Sequence, residues 1–456
     1  MNRKLNPAEV QATLEPVKDV SELVKAAAQS NRLGVMILLA DGPKEFSRIL
    51  ESTGLSKTAL ANHVDKMLGM GLIERLERGR YELTEDGGEL LAAIASFYSG
   101  SRAREMHKAR RTMERYARTS QSPSRLGAST VKTEPVYQPC WISYLGAVSG
   151  ALKSLGKERD IVDVGGYTGY SFISNVARGK TCASGPTALR CWPAILRSTA
   201  LLGYKVSSYE DNESFPESRP PSAKDNQRAR KVLDVVSKEI RKGRPVVLWG
   251  LDVPEYGIVK GYDGESYKVS TYRRLQNRPD TPIRYDALEA PGCLHAVSFR
   301  EKTPEIKEKD EKEAIRRAIK MAEGEGVSPM GYVAGPDAFE EWAIALERGP
   351  EAALSYHGNS YVAECMHEAK ETASTFLKRL AKKYASRPQA EHLTKAAQEY
   401  AASETLLKQF TWIFPFAMEG AMPPDSREKG AGLLRSVKPH ELAAIARMRE
   451  AYKSWK

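Results

Sequence analysis

The sequence reads as a multidomain α+β protein, and three observations predict that class. The chain has 456 residues, whereas one domain usually takes about 100–200. Its hydrophobic share of 41% and charged share of 28% are those of a globular chain, not a disordered one. Its periodicity also changes along its length. Helical spacing with one hairpin occupies residues 1–99, and a basic helix and linker follow over 100–135. Mixed helices and strands fill 136–301, and helical spacing alone runs through 302–456.

Composition narrows the function classes. The apolar runs Leu33–Ala40 and Val246–Leu251 are far shorter than the ~20 residues of a membrane span. Met1 to Leu14 lacks the apolar stretch of a signal peptide, so a cytoplasmic protein with no membrane partner is expected. Cys140, Cys182, Cys191, Cys293 and Cys365 are scattered at irregular spacing, which fits neither a disulfide framework nor a zinc site. No metal and no cofactor is implied. The net charge of +11 favours polyanionic partners, though only as non-specific attraction.

The first segment carries the most specific pattern. Val20, Leu23, Val24 and Ala27 stripe one helix, and Leu33–Leu39 reads as a central helix buried on several sides. Asp41-Gly42-Pro43 stops it. Phe46, Ile49 and Leu50 mark a third helix, closed by the turn Thr53-Gly54-Leu55. Ser56 is an N-cap, its hydroxyl placed to accept from the free N–H groups of the next turn. The capped helix turns Leu60, Val64, Met67 and Leu68 inward, and Lys57, Thr58, Asn62, His63 and Lys66 outward. Leu72–Leu76 and Arg80–Thr84 alternate at period two around Glu77-Arg78-Gly79, which predicts a hairpin with a basic tip. Thr84 caps a last helix, Glu85–Ser96.

Helix, turn, capped helix and hairpin make a winged helix-turn-helix. The stretch FSRILESTGLSKTALANHVDKMLGMGLIERLERGRYELTEDG resembles the ArsR-like prokaryotic regulators. That resemblance implies that the capped helix enters the major groove of double-stranded DNA while the wing touches the backbone. Ser56 opens the reading helix. Lys57, Thr58, Asn62 and His63 are candidates for base edges or phosphates, and Lys66, Arg78 and Arg80 suit phosphates. The cysteine pair of the family's metal sensors is absent. A protein-binding winged helix remains the plainer alternative.

The connector places Arg102, Arg104, Lys108, Arg110, Arg111, Arg115 and Arg118 on one predicted helix. It reads equally as added phosphate contact, as a pairing element, or as a solvated spacer. A lone helix-turn-helix usually needs a second half-site, so a homodimer is expected.

In 136–301 a helix is predicted from Cys140 to Leu155, then the glycine- and aromatic-rich DVGGYTGYSF, an amphipathic helix Leu233–Ile240, and three strands from Arg244 to Thr271. The segments YQPCWISYLGAVSGALKSLG and PVVLWGLDVPEYGIVKGYDGESYKV resemble the papain-like cysteine fold. They look closest to bacteriocin-leader peptidases and the acyltransferase of butirosin biosynthesis. The resemblance implies a nucleophile at Cys140, activated by the helix dipole, and an oxyanion-binding Gln138. Where the family has its basic histidine, this chain has Glu255, which repels a thiolate. The expected domain is therefore a degenerate one that kept a cleft. Trp141, Tyr144, Tyr167, Tyr170, Trp249, Glu255 and Tyr256 are its candidate ligand-binding residues, suited to a small, cationic molecule. Core aromatics and a live cysteine enzyme stay open as alternatives.

After Pro304 the helices Ala314–Glu323, Pro336–Glu347, Tyr361–Tyr384, Gln389–Thr411 and Pro439–Tyr452 are expected. This tail resembles one that follows such a middle domain in uncharacterised prokaryotic proteins. His357, Cys365, His367 and Glu368 lack the i, i+4 histidine pair of a metal site. The whole reads as a one-component transcription regulator with a winged helix, a papain-like α/β domain and a helical bundle, answering a small-molecule effector. Its rival is a cysteine-dependent acyltransferase or peptidase with an accessory winged helix.

Overall fold

The computed structural model describes residues 17–53, 55–77, 79–100, 126–212, 223–289, 293–348, 356–416 and 424–455. Two compact units divide the chain, Met1–Arg115 and Tyr116–Lys456. Arg78 and the predicted connector helix lie outside the described residues.

In the first unit the order is α1 (Val17–Ala28), α2 (Ser30–Leu39), β1 (Lys44–Glu45), α3 (Phe46–Thr53), α4 (Lys57–Gly69), β2 (Ile73–Glu77), β3 (Arg80–Leu83) and α5 (Glu85–Gly100). The strands form an antiparallel sheet, β1-β3-β2. Ala27, Val35, Met36, Leu39, Ile49, Leu60, Val64, Met67, Leu72, Ile73 and Tyr81 fill one core. The apolar α2 is less enclosed than its composition predicts, since Ile37 is 52% exposed. Thr84 accepts from the Gly87 N–H and donates its hydroxyl to the Gly71 carbonyl, so one side chain caps α5 and ties it to the turn between α4 and β2. Gly87 permits the contact: a Cβ there would sit 2.0 Å from the Leu72 carbonyl oxygen.

The second unit opens with β4 (Ala128–Thr130), α6 (Ser143–Ser154), α7 (Ile161–Thr168), β5 (Asn175–Ala177), α8 (Trp192–Thr199), β6 (Tyr204–Asn212) and α9 (Ala223–Arg241). It continues with β7 (Val246–Trp249), β8 (Tyr256–Asp263), β9 (Ser266–Ser270), β10 (Ile283–Arg284) and β11 (Cys293–Lys302). An antiparallel sheet runs β10-β9-β8-β7-β11-β6, with β4 added beside β8. Both faces are buried, and residue alternation decides which side chain goes where. Val247, Ile258, Val297 and Phe299 share a cluster with α6. Val246, Leu248, Val259 and Ala296 pack with Val232, Leu233, Val236 and Ile240 of α9.

The rest of the unit is α10 (Glu308–Glu323), β12 (Tyr332–Ala334), α11 (Asp337–Arg348), α12 (Tyr356–Lys383), α13 (Gln389–Ile413) and α14 (Pro424–Ser454), with β12 pairing β5. The boundary drawn at 301/302 is not a break in packing. One cluster of buried side chains joins Tyr144, Tyr170 and Val297 to Phe376, Tyr400 and Met448. Pro439, read as the start of the last helix, lies inside α14. Deeper still, Lys370 of α12 donates to Ser174 Oγ and Glu441 Oε2, each at 2.9 Å, and its side chain is fully buried. No helix among the described residues is long and apolar enough to cross a membrane.

Candidate nucleic-acid interface

Helix α4 starts where its chemistry predicts. Ser56 is extended, and its hydroxyl oxygen accepts from the Ala59 N–H at 3.2 Å. Leu60, Val64 and Met67 are buried, which fixes the helix roll. Lys57, Thr58, Asn62, Asp65, Lys66 and Gly69 are thereby exposed.

The outward residues divide by what already holds them. Lys66 Nζ lies 3.4 Å from Glu22 Oε2 of α1. His63 is half-buried, its Nε2 3.4 Å from Asn31 Nδ2 of α2. Arg80 pairs with Glu77 on the wing at 3.3 Å. Ser56 spends its oxygen on the cap. Lys57, Thr58 and Asn62 have no side-chain partner among the described residues. Of the described residues expected to meet DNA, these three are unengaged. Glu22 and Asn31 escaped the sequence reading because they lie on other helices, and no local pattern marks them.

The second unit rearranges the expected cleft. Cys140 precedes α6 and is 1% exposed. Its thiol donates to the Ile142 carbonyl at 3.3 Å. Burial, aided by the Glu368 carboxylate, pushes that thiol well above the usual cysteine range, opposite to what the helix dipole was expected to do. Gln138 donates to the Val136 carbonyl and accepts from Lys153, so its amide is occupied locally. Glu368 of α12 takes the remaining anion-binding capacity at this helix entrance. Its two oxygens accept from the Trp141 and Ile142 N–H groups, each at 2.8 Å. Glu255 accepts from the hydroxyls of Ser143 and Tyr361. Burial pushes both carboxyls up to about 7, against the pull of those donors.

The candidate ligand residues do not share one pocket. Tyr144, Tyr170, Trp249 and Tyr256 belong to a packed aromatic cluster with Trp192 and His295. Tyr167 lies elsewhere, against Phe376 and Glu311, and Trp141 stacks edge-on with Phe416. A cavity lined by Ile142, Tyr170 and Cys365 has about 10 Å³, room for one water. His295, shielded at 4% exposure, shares a 2.6 Å hydrogen bond with Tyr256, and burial pushes its imidazole down to about 4. A groove of about 440 Å³ opens instead between α8 and β6, lined by Pro193, Leu196, Arg197, Val206, Ser208 and Glu210. Among the described residues no cluster of three or more His, Cys, Asp or Glu side chains is placed to hold a metal ion.

Residues 29–75 match a family model described as bacterial regulatory protein, arsR family. The match runs from just before α2 into the first wing strand and covers the whole of α4. No curated protein matches the chain. The N-terminal unit thus carries an arsR-type helix-turn-helix.

Proposed function

We propose that this protein is a DNA-binding transcription regulator that reads double-stranded DNA with α4. The observation that carries the reading is the unengaged set Lys57, Thr58 and Asn62, on a capped helix inside the arsR-type match. A helix of this kind lies in the major groove, and a cation at its start meets the backbone while an amide reads base edges. Two protomers on an inverted repeat would supply the second half-site.

The second unit is proposed as the regulatory part. The papain-like relationship is kept as a proposal about ancestry, supported by helix α6 packed on an antiparallel sheet with Glu255 at the head of β8. Cys140 is assigned no nucleophilic role, because burial and the Glu368 carboxylate both disfavour its thiolate. The groove between α8 and β6 is proposed as the place for a small-molecule effector, since its size falls within the range of ligand sites.

The test is selection of bound fragments from random duplex DNA by the full chain, followed by titration at rising salt. An inverted repeat is expected, with affinity falling steeply as salt rises. Lys57→Ala with Asn62→Ala is expected to weaken binding to the recovered site at least tenfold. No recovered sequence and no salt-dependent binding would end the regulator reading.

A further inference from the structure

The exposed ridge of α4 is not a basic ridge. Thr58, Asn62, Asp65 and Gly69 follow at i, i+4, i+7 and i+11, which places them along one line of the helix. All four are exposed, opposite the buried Leu60, Val64 and Met67. Lys57 precedes the line. Lys66 stands beside it and is drawn sideways to Glu22. Asp65 is the carboxylate in the middle of the presented surface, and it makes no ion pair or hydrogen bond among the described residues.

A carboxylate in that place has few acceptable neighbours on a duplex. Phosphates repel it. Guanine presents only acceptors in the major groove, N7 and O6, and thymine presents O4 and a methyl group. Cytosine N4 and adenine N6 are the donors it can meet. Of the two, adenine also offers the N7 acceptor beside its amino group, a pattern that an amide matches and a carboxylate does not. Asn62, one helical turn before Asp65, carries that amide.

We infer that Asp65 is a specificity-determining residue of α4: it reads cytosine through the N4 amino group, one step along the site from an adenine read by Asn62. The inference rests on the proposed regulator function and adds the base preference. It also assigns the carboxylate a cost. Asp65 lowers affinity for the phosphate backbone generally and returns it at one kind of base pair, so it raises discrimination rather than strength.

The experiment selects random duplexes with the full chain, unaltered and as Asp65→Asn and Asp65→Ala, and compares the recovered sites and the affinity for a duplex lacking any site. Asp65 is exposed, and matching thermal melts of the three proteins would confirm equal folding. The unaltered chain is expected to enrich cytosine at one position per half-site, with about tenfold discrimination, within the span of one good base contact. Asp65→Ala is expected to lose that preference and Asp65→Asn to shift it toward adenine, while the neighbouring positions persist and both bind the site-free duplex more tightly. Recovery of the same cytosine by both variants would overturn the inference and leave the regulator reading standing. Failure of the unaltered chain to bind any duplex would overturn the regulator reading, and this inference with it.

Discussion

Glu255 sits in the second unit with its carboxyl wholly enclosed, and its ionisation should be legible in the unit's stability. Its folded value is about 7 against an ordinary 4.5, chiefly through burial. The folded chain therefore holds this proton about 300-fold more tightly than the unfolded chain, worth about 3 kcal/mol at 1.36 kcal/mol per tenfold. The sign follows from proton counts. Between about pH 4.5 and 7 the folded state keeps a proton that the unfolded state has lost. The contribution is thus complete at the acid end and disappears as pH rises through 7. Glu255→Gln removes the proton without removing the shape. Ser143 and Tyr361 are hydroxyls, able to turn and accept from an amide. All of the chain's tryptophans lie between Trp141 and Trp455, so tryptophan fluorescence reports the second unit alone. Urea unfolding of the full chain followed this way, from pH 4.5 to 8, should show the variant losing about 3 kcal/mol less than the unaltered protein. Glu368, likewise raised to about 7, supplies a slope common to both. Parallel pH profiles for the two proteins would refute the reasoning.

Three further outcomes are expected. Lys370→Met leaves Glu441 buried without its cation and should cost about 3–5 kcal/mol in the same urea assay, whereas Lys370→Met with Glu441→Leu should recover most of that. Iodoacetamide at pH 8, read by peptide mass spectrometry, should label the exposed Cys293, whose thiol is pushed up by burial and Glu210, slowly but ahead of Cys140, which reacts only as the unit unfolds; labelling of Cys140 faster than Cys293 would revive the enzyme reading. Gly87→Ala should force α5 off the wing by collision with the Leu72 carbonyl, costing about 1–3 kcal/mol and showing as faster amide exchange in residues 72–100.

The parts of the fold that were legible in the sequence are those decided within a few residues. Ser56 caps α4 because a hydroxyl there has an N–H three residues on. The wing hairpin follows from the turn at Gly79, whose φ is positive, although its first strand buries only Ile73 and leaves Leu76 exposed, against the period-two alternation expected. Pro439 misled the reading because a proline favours a helix start, yet tertiary packing carries α14 straight through it. The cleft was illegible for a different reason. Glu368 meets Trp141 and Ile142 from more than two hundred residues away, and Tyr361 comes to Glu255 from over a hundred. Neither carries a local signature, and both decide what the cysteine can do.

The meeting of Glu368 with the entrance to α6 has a practical bearing on how the molecule can be divided. Ending the chain after β11 would look natural to anyone trimming it at a change of secondary structure. It would strip the Trp141 and Ile142 amides of their acceptor and lay bare the side of α7 that Phe376 of α12 now covers. Such a fragment should aggregate. Shortening the protein from its other end, by removing the winged helix, leaves those interactions whole and should yield a tractable piece.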